Sequence, residues 1–454
     1  MAETDIAVIG AGATGRGLAS LAVALGLRVT LFERGPMGGE APDPEVIQAA
    51  LRAAGARAAL ARDAARMGIG TGEVPVDWLA LRSHLADADA DAAPESTAAR
   101  FEAMGVELVR AAARFSAPDR VAAAGREWRF RRALIATGAA PVVPALEGLE
   151  TIPYMTEETV HRLEERPEHL LILGGTGFGL EMAQAFTRLG SRATVIEPAR
   201  IAPGADPAMA EGLARMLRRE GVVLAEGQEA ARAERREGGV ALLLADGTRV
   251  EGSHLLLALG RAPRLAGLDL VTAGLPDGSL AADETLRLRG TRRIWAAGGV
   301  LGRPGGSDTG ILARSMLFRV PGTPAAPPAL RVIRTEPALV ELGVPTGGAE
   351  LETLRWPLAD TARGSAEGID SGLVTLSVDR RGRLAGAGLL APGGLEMAGM
   401  LSLCIGRPVS ELAGATLPHP SLSAAIARAA LEHQAPMVTN PRIRWLAGIA
   451  KRLP

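Results

Sequence analysis

Two glycine-rich turns, each placed between a short apolar run and a helical segment, constrain the fold of this chain most strongly. The first turn follows the run Ile6–Ile9 and the second follows Leu170–Leu173; their sequences are Gly10-Ala-Gly12-Ala-Thr-Gly15 and Gly174-Gly-Thr176-Gly-Phe-Gly179. This spacing is typical of a parallel strand followed by a helix whose N-terminus receives a pyrophosphate. The sequence therefore predicts two related dinucleotide-binding units, of the kind that commonly hold a flavin and a nicotinamide.

An acidic residue ends the strand that follows each turn. Glu33 closes the segment Leu27–Glu33 and Glu197 closes Arg192–Glu197. A carboxylate about 20 residues beyond such a turn bonds ribose hydroxyls and repels a 2′-phosphate, so Glu197 favours NADH. Thr176 stands at the middle glycine position, which makes the second fingerprint weaker than the first. The alternative for each turn is an ordinary glycine-rich connection in an α/β sheet.

The single cysteine limits the redox chemistry. Cys404 lies in the apolar segment Leu401–Ile405, which predicts a core thiol, and one cysteine allows no dithiol–disulfide couple within a subunit. Lys451 is the one lysine, so no ammonium group is available beside a flavin except at the extreme C-terminus.

Composition predicts a folded protein with an extensive core. The 454 residues are 47% hydrophobic with a mean hydropathy of +0.15, and the net charge of -1 gives no general attraction to nucleic acid. We expect a cytoplasmic protein, because no signal peptide and no membrane span is found. The basic tail 441–454 allows membrane-surface contact as an alternative to docking or fraying. We expect no metal site, because the histidines have no ligand spacing.

The order of the segments predicts an α/β protein with an additional C-terminal domain. Each fingerprint begins a β-turn-α-β segment, and the stretch 222–250 resembles a small antiparallel meander. The proline-rich stretch Pro321–Pro328 predicts a linker. Beyond it, an antiparallel sheet covered by helices is expected; its strands are Leu330–Arg334, Leu351–Pro357, Gly372–Val378 and Leu384–Leu390, and its helices are Leu395–Ile405 and Ser423–His433.

The motifs together resemble the pyridine nucleotide–disulfide oxidoreductases, a group that includes dihydrolipoamide dehydrogenase, glutathione reductase and mercuric reductase. In order, they are Gly10–Gly15, Glu33-Arg34-Gly with Gly38-Gly39, Ala136-Thr137-Gly138, Gly174–Glu181, Gly260–Pro263, Ile294–Val300, Thr335–Pro337 and His419–Ser421. The sequence from Met182 to Arg192 most resembles the mercuric reductase-like branch.

The resemblance implies two Rossmann-like domains, the second inserted in the first, and a C-terminal α+β domain that pairs two subunits. The implied boundaries are 1–148 with 274–325 for FAD, 149–273 for NAD(P), 326–440 for dimerisation and 441–454 for the tail. The residues implied for FAD are Gly10, Gly12, Gly15, Glu33, Arg34, Gly38, Gly39, Thr137, Gly138 and Gly299. Those implied for NADH are Gly174, Thr176, Gly179, Glu197 and Gly260.

The chain departs from the family pattern at its redox positions. Ala41 and Val46 fall where the family carries two cysteines, and Ala50 falls where a lysine pairs with a glutamate beside the flavin. That glutamate corresponds to Glu181, which we expect to lack its cationic partner. The alternative for Glu181 is an acid near a helix N-terminus that the helix dipole favours.

Two further family groups are changed. Gly299 stands where an aspartate bonds the ribityl chain of the flavin, and losing a charged hydrogen bond costs about 1.5–3 kcal/mol. His419 matches the family's catalytic base, but Ala424 replaces the glutamate that orients it. A histidine without an orienting carboxylate is a poor general base, so His419 is either a weak base or a structural remnant.

Three functions remain open from the sequence. The first is a flavoprotein that takes hydride from NADH and passes electrons to a quinone, oxygen or an organic acceptor. The second is a catalytically degenerate paralogue that acts as a dimeric binding or regulatory protein. The third is a flavin oxidase-type biosynthetic enzyme reduced by a metabolite. Disulfide reduction and dithiol-based mercury reduction are excluded for a single subunit, unless a partner chain supplies a cysteine.

Overall fold

The computed structural model describes residues 2–37, 43–92, 97–303, 308–320, 328–344 and 350–435, with positions 441, 444, 445 and 449 of the tail. The predicted positions Gly38, Gly39 and Ala41 lie outside the described residues, as does most of the tail and of the linker Pro321–Pro328.

A seven-stranded sheet forms the centre of the first unit. Its order is β3-β2-β1-β6-β5-β4, with β16 also paired to β6, and the strands are β1 Ala2–Ile9, β2 Val29–Phe32, β3 Glu107–Val109, β4 Arg114–Ala117, β5 Arg120–Ala123, β6 Arg126–Ile135 and β16 Ile294–Ala296. The pairs among β3, β2, β1, β6 and β16 are parallel, whereas β4–β5–β6 is an antiparallel meander. Strand β16 returns to this sheet after the second unit, in agreement with an insertion.

Four of the described α-helices precede the second unit along the chain. They are α1 Ala13–Ala24, α2 Pro44–Asp63, α3 Trp78–Ala92 and α4 Ala98–Ala103. Helix α2 begins with an N-cap: the Asp43 carboxylate accepts a hydrogen bond from the Glu45 N–H, and Pro44 occupies the first turn. Its buried side chains, including Ile47 and Leu51, pack into the hydrophobic core of the second unit. Helix α2 therefore joins the two units.

The second unit contains a parallel sheet with order β10-β9-β8-β14, which repeats the strand–turn–helix plan of the first. Its elements are β8 His169–Leu173, α5 Gly177–Arg188, β9 Arg192–Glu197, α6 Pro207–Arg219, β10 Val223–Glu226 and β14 His254–Leu257. The predicted meander is the antiparallel sheet β11 Ala230–Arg236, β12 Gly239–Leu244 and β13 Arg249–Gly252.

Both connections between the units pass through one short antiparallel ribbon. Strand β7 (Ala139–Pro141) leaves the first unit and pairs with β15 (Arg261–Pro263), which leads back to it. Glu158 forms ion pairs with Arg261 at 3.0 Å and with Arg264 at 2.6 Å beside this ribbon. The two chain crossings are therefore held side by side.

An antiparallel sheet forms the C-terminal part, as predicted, but it has five strands where four were expected, and β18 (Ala338–Gly343) is the added one. Its order is β17-β18-β21-β20-β19, and its elements are β17 Leu330–Ile333, β18 Ala338–Gly343, β19 Glu352–Pro357, α8 Ala362–Glu367, β20 Leu373–Val378, β21 Leu384–Ala391, α9 Gly394–Ser402, α10 Val409–Ala413 and α11 Ala424–Glu432. A short helix α7 (Thr309–Leu312) and a π-helical turn at 313–317 precede it. Within the described ranges, no helix has the length and apolar character needed to cross a membrane.

Candidate functional site

The first glycine turn brings the chain very close to a neighbouring strand. Gly10 has a φ of +106°, and a Cβ at this position would lie 2.3 Å from the Ala136 carbonyl oxygen. A Cβ on Gly15 would lie 2.0 Å from the carbonyl oxygen of Gly10. Side chains are excluded at both positions, so the glycines allow α1 to start directly above the strand end.

The N-terminus of α1 is open in front of Gly12. A Cβ at Gly12 would find no atom within 4 Å, no side chain caps the helix, and its first turn contains no acidic residue. The first N–H groups of a helix attract anions when no side chain satisfies them. This cradle fits the pyrophosphate of a dinucleotide.

Glu33 follows β2 and braces the same turn. Its Oε2 accepts a hydrogen bond from the Ala11 N–H at 2.7 Å, and its Oε1 accepts one from the Gly35 N–H at 2.8 Å. Glu33 is half-buried, whereas Arg34 is exposed. The carboxylate stands at the predicted position for a ribose, and it also fixes the backbone that approaches the phosphate.

Thr137, Gly138 and Gly299 meet at the carboxyl edge of the first sheet. A Cβ on Gly299 would lie 3.3 Å from the Ala139 nitrogen and 3.4 Å from the Gly138 Cα. The Arg264 N–H donates to the Gly138 carbonyl at 3.0 Å, and the Thr137 hydroxyl donates to the Arg264 carbonyl at 2.7 Å. Gly299 therefore fits this close contact, and an aspartate would require the neighbouring backbone to shift.

Asp308 supplies a buried carboxylate near the same strand end, which the sequence analysis missed. It is 0% exposed; its Oδ2 accepts from the Gly298 N–H at 2.9 Å and its Oδ1 accepts from the Arg303 Nε at 2.8 Å. Because this buried carboxylate is engaged by the Gly298 N–H and by Arg303, it fixes the strand end and does not replace an acceptor at Gly299.

The second turn repeats the geometry of the first. Gly174 has a φ of +112°, and a Cβ there would lie 2.4 Å from the Ala258 carbonyl oxygen; a Cβ on Gly179 would lie 2.2 Å from the Gly174 oxygen. The Glu197 Oε2 accepts from the Gly175 N–H at 2.7 Å, and its Oε1 accepts from the Ala199 N–H at 3.0 Å. Gly260, at the strand edge, has a φ of +89°.

Thr176 occupies the position in the second turn that Gly12 occupies in the first, and its side chain does not cap α5. Its hydroxyl donates to the Ala258 carbonyl at 2.7 Å, and no side chain caps α5. The N–H groups of the α5 N-terminus thus stay available to an anion, although the threonine side chain occupies space that is open at Gly12. The threonine side chain therefore leaves less room for an anion in front of α5 than Gly12 leaves in front of α1.

Glu181 does have a cationic partner, so the expectation of an unpaired glutamate is wrong. Its Oε2 lies 2.9 Å from Nη1 of Arg52, and its Oε1 accepts from the Arg334 N–H at 2.8 Å. Burial raises the pKa of the Glu181 carboxyl, and Arg52 with the Arg334 N–H opposes that rise. The cation comes from position 52 of α2, about half a helical turn from Ala50.

The two described positions of the expected redox segment differ in their packing. Val46 is half-buried and belongs to none of the described hydrophobic clusters, whereas Ala50 packs against the core of the second unit. Of these two side chains, Val46 is the one that no described hydrophobic cluster covers.

The C-terminal positions carry little local chemistry. His419 is exposed, and it forms no hydrogen bond or ion pair with the residues that the structure describes. Cys404 is half-buried and packs partly against the C-terminal core, with its Sγ 3.7 Å from the Met400 carbonyl oxygen. The described ranges contain no group of three or more His, Cys, Asp or Glu residues able to hold a metal ion.

Two dinucleotide-binding units followed by an antiparallel C-terminal sheet define a flavin- and nicotinamide-dependent class of oxidoreductases. Residues 4–311 match the family model described as pyridine nucleotide-disulphide oxidoreductase, and the chain belongs to that family. Members of the family depend on FAD and use NAD(P)H. This agrees with the two cofactors predicted from the glycine turns.

Curated relatives and solved structures extend the match to almost the whole chain. A mercuric reductase from Streptomyces lividans is 31% identical over 94% of this chain and 95% of its own length. An NAD(P)H dehydrogenase (quinone) from Mycobacterium tuberculosis is 30% identical over 65% of this chain and 64% of its own length. The crystal structure of LpdA from Mycobacterium tuberculosis matches with a TM-score of 0.84 at 25% identity, over 96% of this chain and 100% of that chain.

Proposed function

We propose that this chain is an FAD-containing flavoprotein that oxidises NADH and passes the electrons to an acceptor other than a disulfide. One observation carries the proposal: both glycine turns, with Glu33 and Glu197, have the geometry of nucleotide sites, while the chain has a single cysteine. Nucleotide-dependent electron transfer is thus supported, and a thiol relay within one subunit is not.

The binding roles follow the two units with the proposed boundaries 1–148 with 274–325, and 149–273. We assign FAD to the first unit and NADH to the second, through the residues expected for each from the sequence. FAD, when bound, supplies a centre that accepts a hydride and releases its electrons to an acceptor. The α1 N-terminus binds its pyrophosphate, Glu33 orients a ribose, and the Gly138–Gly299 contact shapes the edge of the site.

The acceptor is proposed to lie against the acceptor face, defined as the half-buried apolar side chains of Val46 and Ala50 on α2. Apolar side chains favour an apolar organic molecule over a charged one. The relative named NAD(P)H dehydrogenase (quinone) supports a quinone as the first acceptor to test.

An anaerobic mixing experiment tests the proposal. Addition of NADH to the flavin-loaded protein is expected to bleach the flavin absorbance, and a soluble benzoquinone or naphthoquinone is expected to restore it. An oxidised dithiol compound such as lipoamide serves as the control and is expected to leave the reduced flavin unchanged. If NADH never bleaches the flavin, NADH oxidation is excluded. Reoxidation by lipoamide alone would exclude the non-disulfide acceptor.

Gly299 and His419 favour a second candidate, a degenerate family member that serves as a dimeric binding or regulatory protein. Gly299 offers no side-chain acceptor to a flavin, and His419 contacts no described orienting group. A colourless protein that cannot be reconstituted with FAD would support this candidate over the first.

We further propose a homodimer in the cytoplasm, paired through the domain 326–440. Homologues of this family are typically homodimers. On α9 and just after it, Met400 is 66% exposed and Leu403 is 78% exposed, and Leu395 is also exposed. Large exposed apolar groups of this kind are typical of an interface. Light scattering coupled to gel filtration distinguishes a dimer from a monomer.

A further inference from the structure

Helix α2 connects the acceptor face to the nicotinamide unit. Val46 lies near its start, and Arg52 lies six residues further, about 9 Å along the helix axis at 1.5 Å per residue. At its opposite end, the Arg62 Nη1 donates a hydrogen bond to the Arg188 carbonyl of α5 at 2.6 Å. Helix α2 is therefore attached to α5 by one arginine near the acceptor face and by another far from it.

The attachment near the acceptor face is ionic and protected from solvent. The side chains of Arg52 and Glu181 are 18% and 5% exposed, and their closest atoms are 2.9 Å apart. A charge pair this far from water is screened weakly. Without Arg52, the Glu181 carboxylate would keep only the Arg334 N–H at 2.8 Å and the more distant Arg334 Nη1 at 3.9 Å. The Arg62 contact, in contrast, is exposed and involves a neutral carbonyl.

Glu181 keeps its position if its ion pair with Arg52 is broken, because helix α5 is also hydrogen-bonded to the segment 334–336. The Glu181 Oε1 accepts from the Arg334 N–H at 2.8 Å. One turn later, the Gln184 side chain accepts from the Glu336 N–H at 2.8 Å and donates to the Glu336 carbonyl at 2.9 Å. Helix α5 is thus fixed to the segment 334–336. The first turns of α2 are held by the buried Ile47 and Leu51 and by Gln48, whose Nε2 donates to the Glu157 carbonyl at 2.7 Å, and the Arg52–Glu181 pair adds a direct link to α5.

We propose that Arg52 is a positioning residue that holds the acceptor face of α2 at a fixed distance from the nicotinamide-binding helix α5 by pairing with Glu181. Arg52 acts through α2 and needs no contact with the acceptor. This inference rests on the proposed function, because the acceptor face has a role only if an acceptor binds there.

The test compares Arg52→Met with the matched control Arg62→Met, which removes the other arginine contact between the same two helices. We expect Arg52→Met to raise the KM for the quinone about fivefold or more and to leave the KM for NADH within about twofold. Arg62→Met is expected to change neither. Arg52→Lys retains the charge and is expected to recover part of the loss. Equal quinone KM values for Arg52→Met and Arg62→Met would overturn the proposal.

Hydrogen exchange of the backbone at residues 45–52 tests the same proposal without turnover. Exchange in this segment is expected to be faster in Arg52→Met than in wild type and unchanged in Arg62→Met. This measurement still decides the inference if NADH oxidation proves absent, so the two failures can be told apart. If Arg52→Met does not fold, the double variant Arg52→Met/Glu181→Gln removes the buried charge and is measured instead. Unchanged exchange in the variant measured would overturn the proposal.

Discussion

Single positions near the two turns perform more than one task. Glu33 and Glu197 each use one carboxylate oxygen on the backbone of the glycine turn and the other on the loop that follows the strand. A sequence motif assigns these acids to ribose, and the structure adds that they hold the turn itself. Substitutions at these positions are therefore expected to alter loop order as well as binding of the nucleotide at the same turn.

Gly12→Val is expected to weaken FAD binding at least tenfold without unfolding the protein. The new side chain would enter the open space before the α1 N-terminus, while the φ of −66° at this position suits any residue. Flavin content and a thermal unfolding curve measure the two effects. Gly70→Val, at another open glycine, is the control. Full flavin occupancy in Gly12→Val would contradict the assignment of this cradle.

Glu197→Gln is expected to raise the affinity for NADPH relative to NADH by roughly tenfold, because a negative charge that repels the 2′-phosphate is removed. Titration calorimetry with each nucleotide measures the ratio, and it does not depend on turnover. The matching change at the other turn, Glu33→Gln, should leave this ratio unaltered. An unchanged ratio in Glu197→Gln would show that this acid does not face the ribose.

Local motifs made many site residues predictable, while long-range pairs did not. The turns and their acids follow from short sequence patterns. Arg52 and Glu181 are 129 residues apart, and their contact depends on how α2 lies across α5. Asp308 was also missed, because no sequence motif marks a carboxylate whose contacts are a backbone N–H and an arginine.

At the scale of elements, Gly55 sets how closely α2 approaches α5. A Cβ at Gly55 would lie 3.1 Å from the Ala185 carbonyl oxygen and 3.3 Å from its Cα. We expect Gly55→Val to lower the free energy of unfolding by about 2 kcal/mol, since the added methyl groups meet backbone. Ala49→Val, at an exposed position of the same helix, should cost less than about 0.7 kcal/mol. Chemical denaturation measures both; equal losses would mean that the contact is adaptable.

Hydrophobic periodicity predicted many strands and helices, but β18, α3 and α6 were missed. Strand β18 lies between β17 and β21 in the C-terminal sheet, but Pro337 before it and Pro345 after it are typical of a loop. Helix α6 was overlooked although its start is visible in the sequence. The Asp206 carboxylate accepts from the N–H groups of Ala208 and Met209, and Pro207 occupies the first turn.

Acidification is expected to destabilise the molecule through three histidines. Burial lowers the pKa values of His161, His169 and His254 below the ordinary value of 6.5. The unfolded chain therefore takes up more protons than the folded one below about pH 6.5, and stability falls as the pH decreases through that range. The raised pKa values of Glu181 and Glu336, also due to burial, act in the opposite direction.

Thermal unfolding at pH 7.5 and pH 5.5 measures this effect. The double variant His169→Gln/His254→Gln should show a smaller loss of Tm between these pH values than wild type. An identical loss would assign the acid sensitivity to other groups.

The antiparallel ribbon of β7 and β15 bears on which insertions and deletions such a sequence can accept during evolution. Pro141 and Arg261 are register partners in a ribbon outside the first sheet, and β16 re-enters that sheet beside β6, the strand from which the chain left. The segment between these points has paired ends, so its length can vary while the strands of the first sheet keep their places. Changes in its core are constrained by helix α2, whose Ile47 and Leu51 pack into that core.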